Sequence, residues 1–206
     1  MKDFTSKKNE ININVFHDDC LLHIFEYLPI EDRLTIELVC KRWKYLAKHS
    51  WSKVKSFRIC KELFSKMERR TKFYTSFEEK FNHTFSVIKR SGAYLNNLPV
   101  KNNDLKIKPN DYSALLKKIS KNCVNLTNFS LRGSGIFKDK KEMKYLKNIF
   151  EKNTKISSIS ITFQCLNGNI LSNFQADLIT ELTLVNCYYH PEKYFLNFVR
   201  KIKKCD

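Results

Sequence analysis

The stretch FHDDCLLHIFEYLPIEDRLTIELVCKRWKYLAKHSW, residues 16–51, decides the fold of the N-terminal part of this chain. Its apolar residues recur at offsets of three and four, the spacing of one helix face. Asp18 and Asp19 suit the electropositive start of a first helix, and Pro29 ends that helix and opens the next. The pattern predicts three short helices with these apolar positions: Leu21, Leu22, Ile24, Phe25 and Leu28; Leu34, Leu38 and Val39; Trp43, Leu46 and Ala47.

Such a unit is small for an independent fold. Helices this short are marginal in isolation, and about forty residues lie near the size below which a private core rarely suffices. Some of the apolar surface is therefore expected to pack against a partner.

The segment resembles the F-box, the module by which substrate receptors dock on the Skp-family adaptor of cullin-RING ubiquitin ligases. The resemblance begins at Val15 and is carried by IFEYLP at 24–29, Asp32 and VCKRW at 39–43. It implies adaptor docking through these side chains: Phe16, Leu21, Leu22, Phe25, Leu28, Pro29, Leu34, Leu38, Val39 and Trp43.

Two positions depart from the family pattern. Phe16-His17 stands where the family usually opens with Leu-Pro, and Arg33 stands where an apolar residue is common. Phe16 still fills an apolar pocket, but His17 lacks the ring that fixes φ and adds a charge that is costly to desolvate. Whether His17 and Arg33 weaken docking stays open.

Beyond residue 50, a short apolar pattern with offsets of zero, three and five repeats along the chain. Its copies are Leu95, Leu98, Val100; Leu126, Phe129, Leu131; Ile156, Ile159, Ile161; Ile179, Leu182, Leu184; and a fainter one at Val54, Phe57, Ile59. Helical stripes lie between them at 73–88, 112–119 and 143–150, so strand and helix alternate as in a solenoid. The fourfold-spaced phenylalanines from Phe73 to Phe85 are interpreted as a core ridge.

These segments resemble the leucine-rich repeats that follow F-boxes. Asn103 and Cys187 stand where that pattern prefers Asn or Cys, whereas Ser134 and Gln164 do not match. The implied fold class is α/β: a three-helix F-box followed by a short leucine-rich-repeat solenoid, with parallel strands on its concave face and helices on its convex face. The predicted domains are a flexible N-terminus at 1–13, the F-box at 14–52 and about four to five repeats at 53–206. A further helical stripe at 194–204 is followed by no strand, so truncation of the repeat array stays an open alternative.

The residues that alternate with the buried strand positions form the predicted target-binding surface. They are Asn128, Ser130, Arg132, Ser158, Ser160, Thr162, Glu181 and Thr183. Pro99 lies inside the first copy and cannot donate a ladder hydrogen bond, so that strand is expected to be irregular or to place the missing amide where none is needed.

Charge and composition limit the function classes. The excess of 38 Lys and Arg over 21 Asp and Glu gives a net charge of +17. Because the lysines are dispersed without interleaved aromatic residues, nucleic-acid binding is disfavoured, while an acidic or phosphorylated protein target is favoured by the positive field.

The sequence contains few signals of catalysis. Phosphate-loop, metalloprotease and nucleophile-elbow motifs are missing, so no catalytic residue, cofactor or metal site is predicted. Gly133-Ser134-Gly135 is interpreted as a turn that needs positive φ. The seven scattered cysteines indicate reduced thiols, and no apolar run approaches the roughly eighteen residues of a membrane span. A non-membrane protein of the cytoplasm or nucleus is expected.

Three functional hypotheses follow. The first is a non-catalytic substrate receptor of an SCF-type ubiquitin ligase, which marks a target for proteasomal degradation. The second is a nucleic-acid module whose basic residues are Lys41, Arg42, Lys44 and Lys48. The third is a leucine-rich-repeat scaffold outside any ligase, in which His17 and Arg33 have weakened docking.

Overall fold

The structure, a computed structural model, describes residues 12–70, 76–101, 107–135, 140–167 and 178–190. The chain divides into two compact units, Met1–Ser50 and Trp51–Asp206. The predicted Asn103 position, the helical stripe at 194–204 and the first ridge residue, Phe73, lie outside the described residues.

The N-terminal unit contains the three predicted helices. After a 3₁₀ turn at Ile13–Val15 come α1 (Asp18–Tyr27), α2 (Ile30–Ile36) and α3 (Lys41–Ser50). The expectation that the second helix continues through Val39 is wrong. The amides of Leu38 and Val39 bond to Thr35 and Ile36, three residues back, so α2 closes in a tight turn.

The core of this unit is small. Leu21 and Phe25 of α1 pack against Ile36 of α2 and against Leu46 and Ala47 of α3, with Ile13, Leu28 and Trp43 partly buried around them. The Phe25 and Trp43 ring centroids lie 5.0 Å apart. All three helices therefore contribute to one cluster, and none has a core of its own.

Arg33 is a buried hydrogen-bond donor in this unit, with only 5% of its surface exposed. Its guanidinium donates to the carbonyl oxygens of Glu26 at 2.6 Å, Leu28 at 3.1 Å and Ser50 at 2.6 Å. These carbonyls lie at the C-terminal ends of α1 and α3, where helices leave acceptors unpaired. Burial lowers the pKa of Arg33 from its ordinary value, and the charge of Glu26 opposes that shift.

The C-terminal unit alternates helices and parallel strands. The helices are α4 (Lys61–Arg70), α5 (Phe77–Ser91), α6 (Pro109–Asn122) and α7 (Lys140–Lys152), with 3₁₀ turns at Trp51–Lys53 and Gly92–Tyr94. The strands are β1 (Asn97–Lys101), β2 (Asn128–Gly135), β3 (Ser158–Asn167), β4 (Glu181–Val185) and β5 (Tyr188–His190). β1 to β4 pair in sequence order and β5 pairs with β3.

The predicted apolar repeat sets the strand register. Leu98, Phe129, Ile159 and Leu182 are aligned across the sheet, as are Val100, Leu131, Ile161 and Leu184. In β1 to β3 these side chains are buried, and the Phe129 ring meets Phe150 of α7 at 5.8 Å. The parallel strands predicted from the repeat are therefore confirmed.

Pro99 explains why the fainter fifth copy is not a full strand. Residues 55–59 bond to β1 through the pairs Lys55–Asn97 and Ile59–Lys101, and form only isolated bridges. Between these two pairs, the amide of residue 99 would donate a hydrogen bond toward this segment, but proline has no amide hydrogen. Pro99 still accepts a hydrogen bond from Ile59 at 2.9 Å, so β1 itself stays regular.

A local irregularity interrupts the register of β2 and β3 between Arg132 and Gly135. Gly133 has φ of 154°, a conformation that favours glycine. The predicted need for positive φ is therefore met, but within a strand and not in a turn.

The helices of this unit differ in part from the prediction. α4 was not predicted, because its apolar residues are few and lie among charges. α5 begins at Phe77 because Ser76 and Glu79 form a capping box. The Phe77, Phe81 and Phe85 rings follow one another at 5.6 Å and 4.7 Å, and Phe81 is buried as the ridge interpretation expects.

Close contacts join the turns that precede successive strands. The Asn125 carboxamide donates to Ala93 at 2.6 Å, and that of Asn153 donates to Cys123 at 3.1 Å. Asn153 also accepts from the Leu126 amide at 2.7 Å. A Cβ added at Gly92 would lie 2.9 Å from the carbonyl oxygen of Asn122, so the two turns approach as closely as glycine permits.

Replacement of Arg33 by methionine should destabilise the N-terminal unit by about 2–4 kcal/mol, because it leaves three carbonyls without their charged donor. Hydrogen–deuterium exchange of peptides from residues 12–50 measures the change. Lys44→Met, which removes an exposed cation from α3, is the control. Equal exchange in the two variants would contradict this role of Arg33.

Burial raises the pKa of the Cys123 thiol from 9.0 to about 12. At pH 8.5 the exposed Cys20 and Cys40 should react with iodoacetamide, while Cys123 reacts only after unfolding. The folded state favours the protonated thiol, so this contribution to stability is complete below about pH 9 and is lost as the pH rises towards 12. Mass spectrometry of labelled peptides, with and without denaturant, tests the order of reaction; early labelling of Cys123 would refute it.

Candidate functional site

Large apolar side chains are exposed mainly in the N-terminal unit. Of eleven such residues in the described part of the chain, seven lie between residues 12 and 50: Val15, Phe16, Ile24, Tyr27, Leu38, Val39 and Tyr45. Their concentration in the smaller unit marks it as a binding surface, because scattered single exposures are the ordinary case.

The predicted docking residues separate into three groups by burial. Phe16, Leu38 and Val39 are 41%, 84% and 55% exposed and are free to contact a partner. Leu22, Leu28, Pro29, Leu34 and Trp43 are half-buried. Leu21 and Phe25 are buried in the core, so these two have no surface to offer and act only by holding the helices together.

Arg42 connects the start of α3 to the segment before α1 and to the first residue of α1. Its guanidinium, at the start of α3, donates to Asp18 at 2.7 Å and to the carbonyls of Asn14 at 2.7 Å and Phe16 at 2.6 Å. Arg42 thereby fixes the backbone at Phe16, one of the exposed docking residues.

His17 adopts the backbone conformation of the proline that it replaces in the family pattern. Its φ of −62° and ψ of 157° match the extended form that proline imposes, and its carbonyl accepts from Leu21. The substitution therefore leaves the entry to α1 unchanged. The imidazole is exposed.

Four exposed apolar residues of this unit were left out of the predicted docking set: Val15, Ile24, Tyr27 and Tyr45. Val15, Ile24 and Tyr27 are 74%, 37% and 77% exposed. Ile24 was predicted as an apolar position of the first helix and Tyr27 was not, and neither was predicted to dock. The excess of apolar residues over what one helix face can bury was the available signal.

The basic segment of α3 is partly engaged inside the unit. Arg42 bonds to Asp18 and to backbone carbonyls, and Trp43 donates from Nε1 to Asn14 at 2.9 Å. The nucleic-acid hypothesis requires the four basic side chains of α3 to face outward. One of them, Arg42, is bonded within the unit instead.

The predicted target-binding residues share one sheet face, called here the polar face. In cross-strand order its rows are Asn97, Asn128, Ser158, Glu181; Pro99, Ser130, Ser160, Thr183; and Lys101, Arg132, Thr162, Val185. Alternation along the strands turns these side chains away from the buried repeat positions. Asn128, Arg132 and Glu181 are exposed, and Ser130, Ser158, Ser160 and Thr183 are half-buried.

Two features limit the predicted set. Thr162 is only 8% exposed, so it offers little surface to a target. Ser158 donates to Glu181 Oε2 at 2.7 Å across the sheet, and Thr127 donates to Asn128 Oδ1 at 2.7 Å. The first row is therefore already hydrogen-bonded, whereas the second and third rows are more open.

Two further cations belong to the same face; the sequence pattern also places Lys101 there, whereas Arg58 was missed. Lys101 is aligned with Arg132, and Arg58 lies between the bridge residues Ser56 and Ile59, opposite Pro99. Periodicity would have found Arg58, because it alternates with Phe57 and Ile59 in the fainter copy.

The described residues contain neither a metal-ligand cluster nor a helix that could span a membrane. Within ranges 12–70, 76–101, 107–135, 140–167 and 178–190, His, Cys, Asp and Glu side chains nowhere gather in a group of three suited to a metal ion. In the same ranges, every helix is too short or too polar to span a bilayer.

Comparison with known proteins supports one part of the chain. Residues 14–55 match the F-box domain family. The chain is similar to F-box protein SKIP5 of Arabidopsis thaliana, with 47% identity over 49 residues, or 22% of this chain and 18% of that protein. It is also similar to human F-box/LRR-repeat protein 12, with 53% identity over 34 residues, or 16% of this chain and 10% of that protein.

The aligned regions thus span less than a fifth of the length of either relative. The match coincides with the helices whose apolar residues are exposed. Residues 14–55 of this chain are an F-box domain.

Proposed function

We propose that this chain is a substrate receptor of an SCF-type ubiquitin ligase, working in the cytoplasm or nucleus. Its F-box at 14–52 docks on a Skp-family adaptor, and residues 53–206 form a leucine-rich-repeat solenoid that holds a target protein. The observation that carries the proposal is the F-box match at residues 14–55, in a unit that leaves seven large apolar side chains exposed.

The docking half follows from the small core of the N-terminal unit. Five buried apolar side chains hold three short helices together, and more apolar surface stays outside. Covering Phe16, Leu38 and Val39 with a partner removes that surface from water at about 25 cal/mol per Å². The adaptor is the partner that the F-box family implies.

The repeat half is supported by in-register parallel strands joined by helices. The helix of one repeat leads into the strand of the next, as in β1, α6, β2, α7 and β3. At the repeat position that prefers Asn or Cys, the Cys187 thiol donates to the Ile161 carbonyl at 3.4 Å. This bond joins the segment after β4 to β3, as expected for a residue inside the turn of a solenoid.

The chain itself performs no chemistry in this proposal. A target held on the ligase brings a lysine near the thioester of a ubiquitin-charged conjugating enzyme, which raises the effective concentration of the two reactants. The consequence is ubiquitination and proteasomal degradation of the target. Position and residence time on the receptor then set the rate.

Capture by a purified Skp-family adaptor tests the docking half. The parent chain should form a stoichiometric complex, and Phe16→Ala with Leu38→Ala should weaken it at least about tenfold, because each truncation removes apolar contact without cutting into the core. Titration calorimetry measures the affinity.

The matched control for capture is Tyr94→Ala with Val124→Ala, which removes two exposed apolar side chains outside residues 14–55. It should bind as the parent does, and thermal melting should show that both double variants are folded. A parent chain that fails to bind the adaptor would instead favour a repeat scaffold outside any ligase.

Proline at position 17 should stabilise the N-terminal unit by about 0.4–1 kcal/mol, since it restricts the unfolded chain and fits the existing φ. In the described residues no hydrogen bond uses the His17 amide, and Phe16 is extended, as a residue before proline should be. Exchange protection of α1 measures the gain.

His17→Ala controls for loss of the imidazole and should give no such gain. Adaptor capture by His17→Pro should be at least as strong as that of the parent. A loss of stability would show that the 16–17 segment is not in the proline-compatible form.

A further inference from the structure

The polar face has an uneven charge distribution. Arg58, Lys101 and Arg132 lie on its β1–β2 side, and we refer to these three residues as the basic cluster. On the other side, Glu181 of β4 is its one carboxylate among the described residues, and Ser158 already donates to it. The β1–β2 side of the polar face therefore presents positive charge to a bound partner.

The three cations are close enough to act together. Neighbouring strands lie about 4.8 Å apart and alternate residues about 6.6 Å apart along a strand. Lys101 and Arg132 are directly paired, and Arg58 is one strand and two residues from Lys101. The Cα atoms thus spread over about 12 Å, within reach of one another's long side chains.

The cluster has no internal counter-charge in the described part of the chain. The hydrogen bonds and ion pairs found there engage Arg33, Arg42 and Lys147, among others, but not these three side chains. Arg58 and Arg132 are exposed and Lys101 is half-buried. Their charges are available to an external anion.

We infer that the basic cluster binds an acidic peptide segment of the target, rich in Asp and Glu, laid across the strands. The inference rests on the proposed function, because it assigns the chemistry of the target to the face proposed to hold it. Charge complementarity carries it. The hydroxyls of Ser130, Ser160 and Thr183 continue the row in which Arg58 lies and add hydrogen-bond partners for the peptide.

The geometry favours distributed carboxylates over one phosphate. Phosphate sites commonly add backbone amides or a helix N-terminus to their arginines. Here the strand amides are used in the parallel ladder, and the cations are spread over three backbone segments. Several spaced carboxylates match that layout.

The same face is poorly suited to nucleic acid. Single strands are held by aromatic platforms on which bases stack. The described residues of the polar face are Asn, Ser, Pro, Thr, Val, Glu and the three cations, with no aromatic ring among them. The carboxylate of Glu181 would also oppose a continuous phosphate backbone.

Fluorescence anisotropy with a labelled peptide of alternating glutamate and serine tests the inference on the full chain. The glutamate–serine peptide should bind at low salt, and its affinity should fall steeply as salt rises. It should bind at least about tenfold more tightly than a control peptide in which glutamine replaces glutamate. Arg132→Glu should reduce the affinity at least about tenfold. Lys144→Glu, the same charge reversal on an exposed position of α7, should leave it unchanged.

Three results would overturn the inference: equal loss in both variants, binding of a phosphoserine peptide but not of the glutamate peptide, or tighter binding of single-stranded DNA that also depends on Arg132. Circular dichroism confirms that the variants are folded. Since the assay contains no adaptor, its failure leaves adaptor capture unaffected, and failed capture leaves peptide binding interpretable.

Discussion

Parallel register is the constraint on which the larger unit depends. Leu98, Phe129, Ile159 and Leu182 occupy one cross-strand line. Because side chains alternate along a strand, a slip of one residue would turn the apolar set outward and the polar set inward. The same register that builds the core therefore also builds the polar face, and the proposed binding surface cannot change without the core.

The N-terminal unit is built on a different principle. Its apolar core is too small to fix three helices alone, and two arginines supply fixed contacts between them. Arg33 joins the ends of α1 and α3, and Arg42 joins the start of α3 to the segment before α1. The contacts of Arg33 also supply a donor to carbonyls at buried or half-buried positions. Apolar side chains such as Leu38 are then left outside.

Much of the fold could be predicted from the sequence, and the wrong predictions have physical causes. Period-two and helical spacing located the repeat strands and α6 and α7, because burial of one face is a property of the pattern. The end of α2 was misplaced, because Leu38 has the right spacing but no face to bury it. Arg33 was judged by polarity alone, and no pattern reports the three carbonyls that make a buried guanidinium favourable.

The two surfaces depend on solution conditions in different ways. The proposed apolar adaptor contact at Phe16, Leu38 and Val39 would gain its free energy from burial, which salt screens little. The proposed contacts of an acidic target with Arg58, Lys101 and Arg132 would be electrostatic, and two of these cations are exposed. Salt would therefore screen them, with a Debye length of about 8 Å at physiological ionic strength. The proposed receptor would therefore keep its adaptor while its target exchanges. Weak, charge-steered binding also favours rapid encounter over long residence, because long-range attraction acts before contact is made.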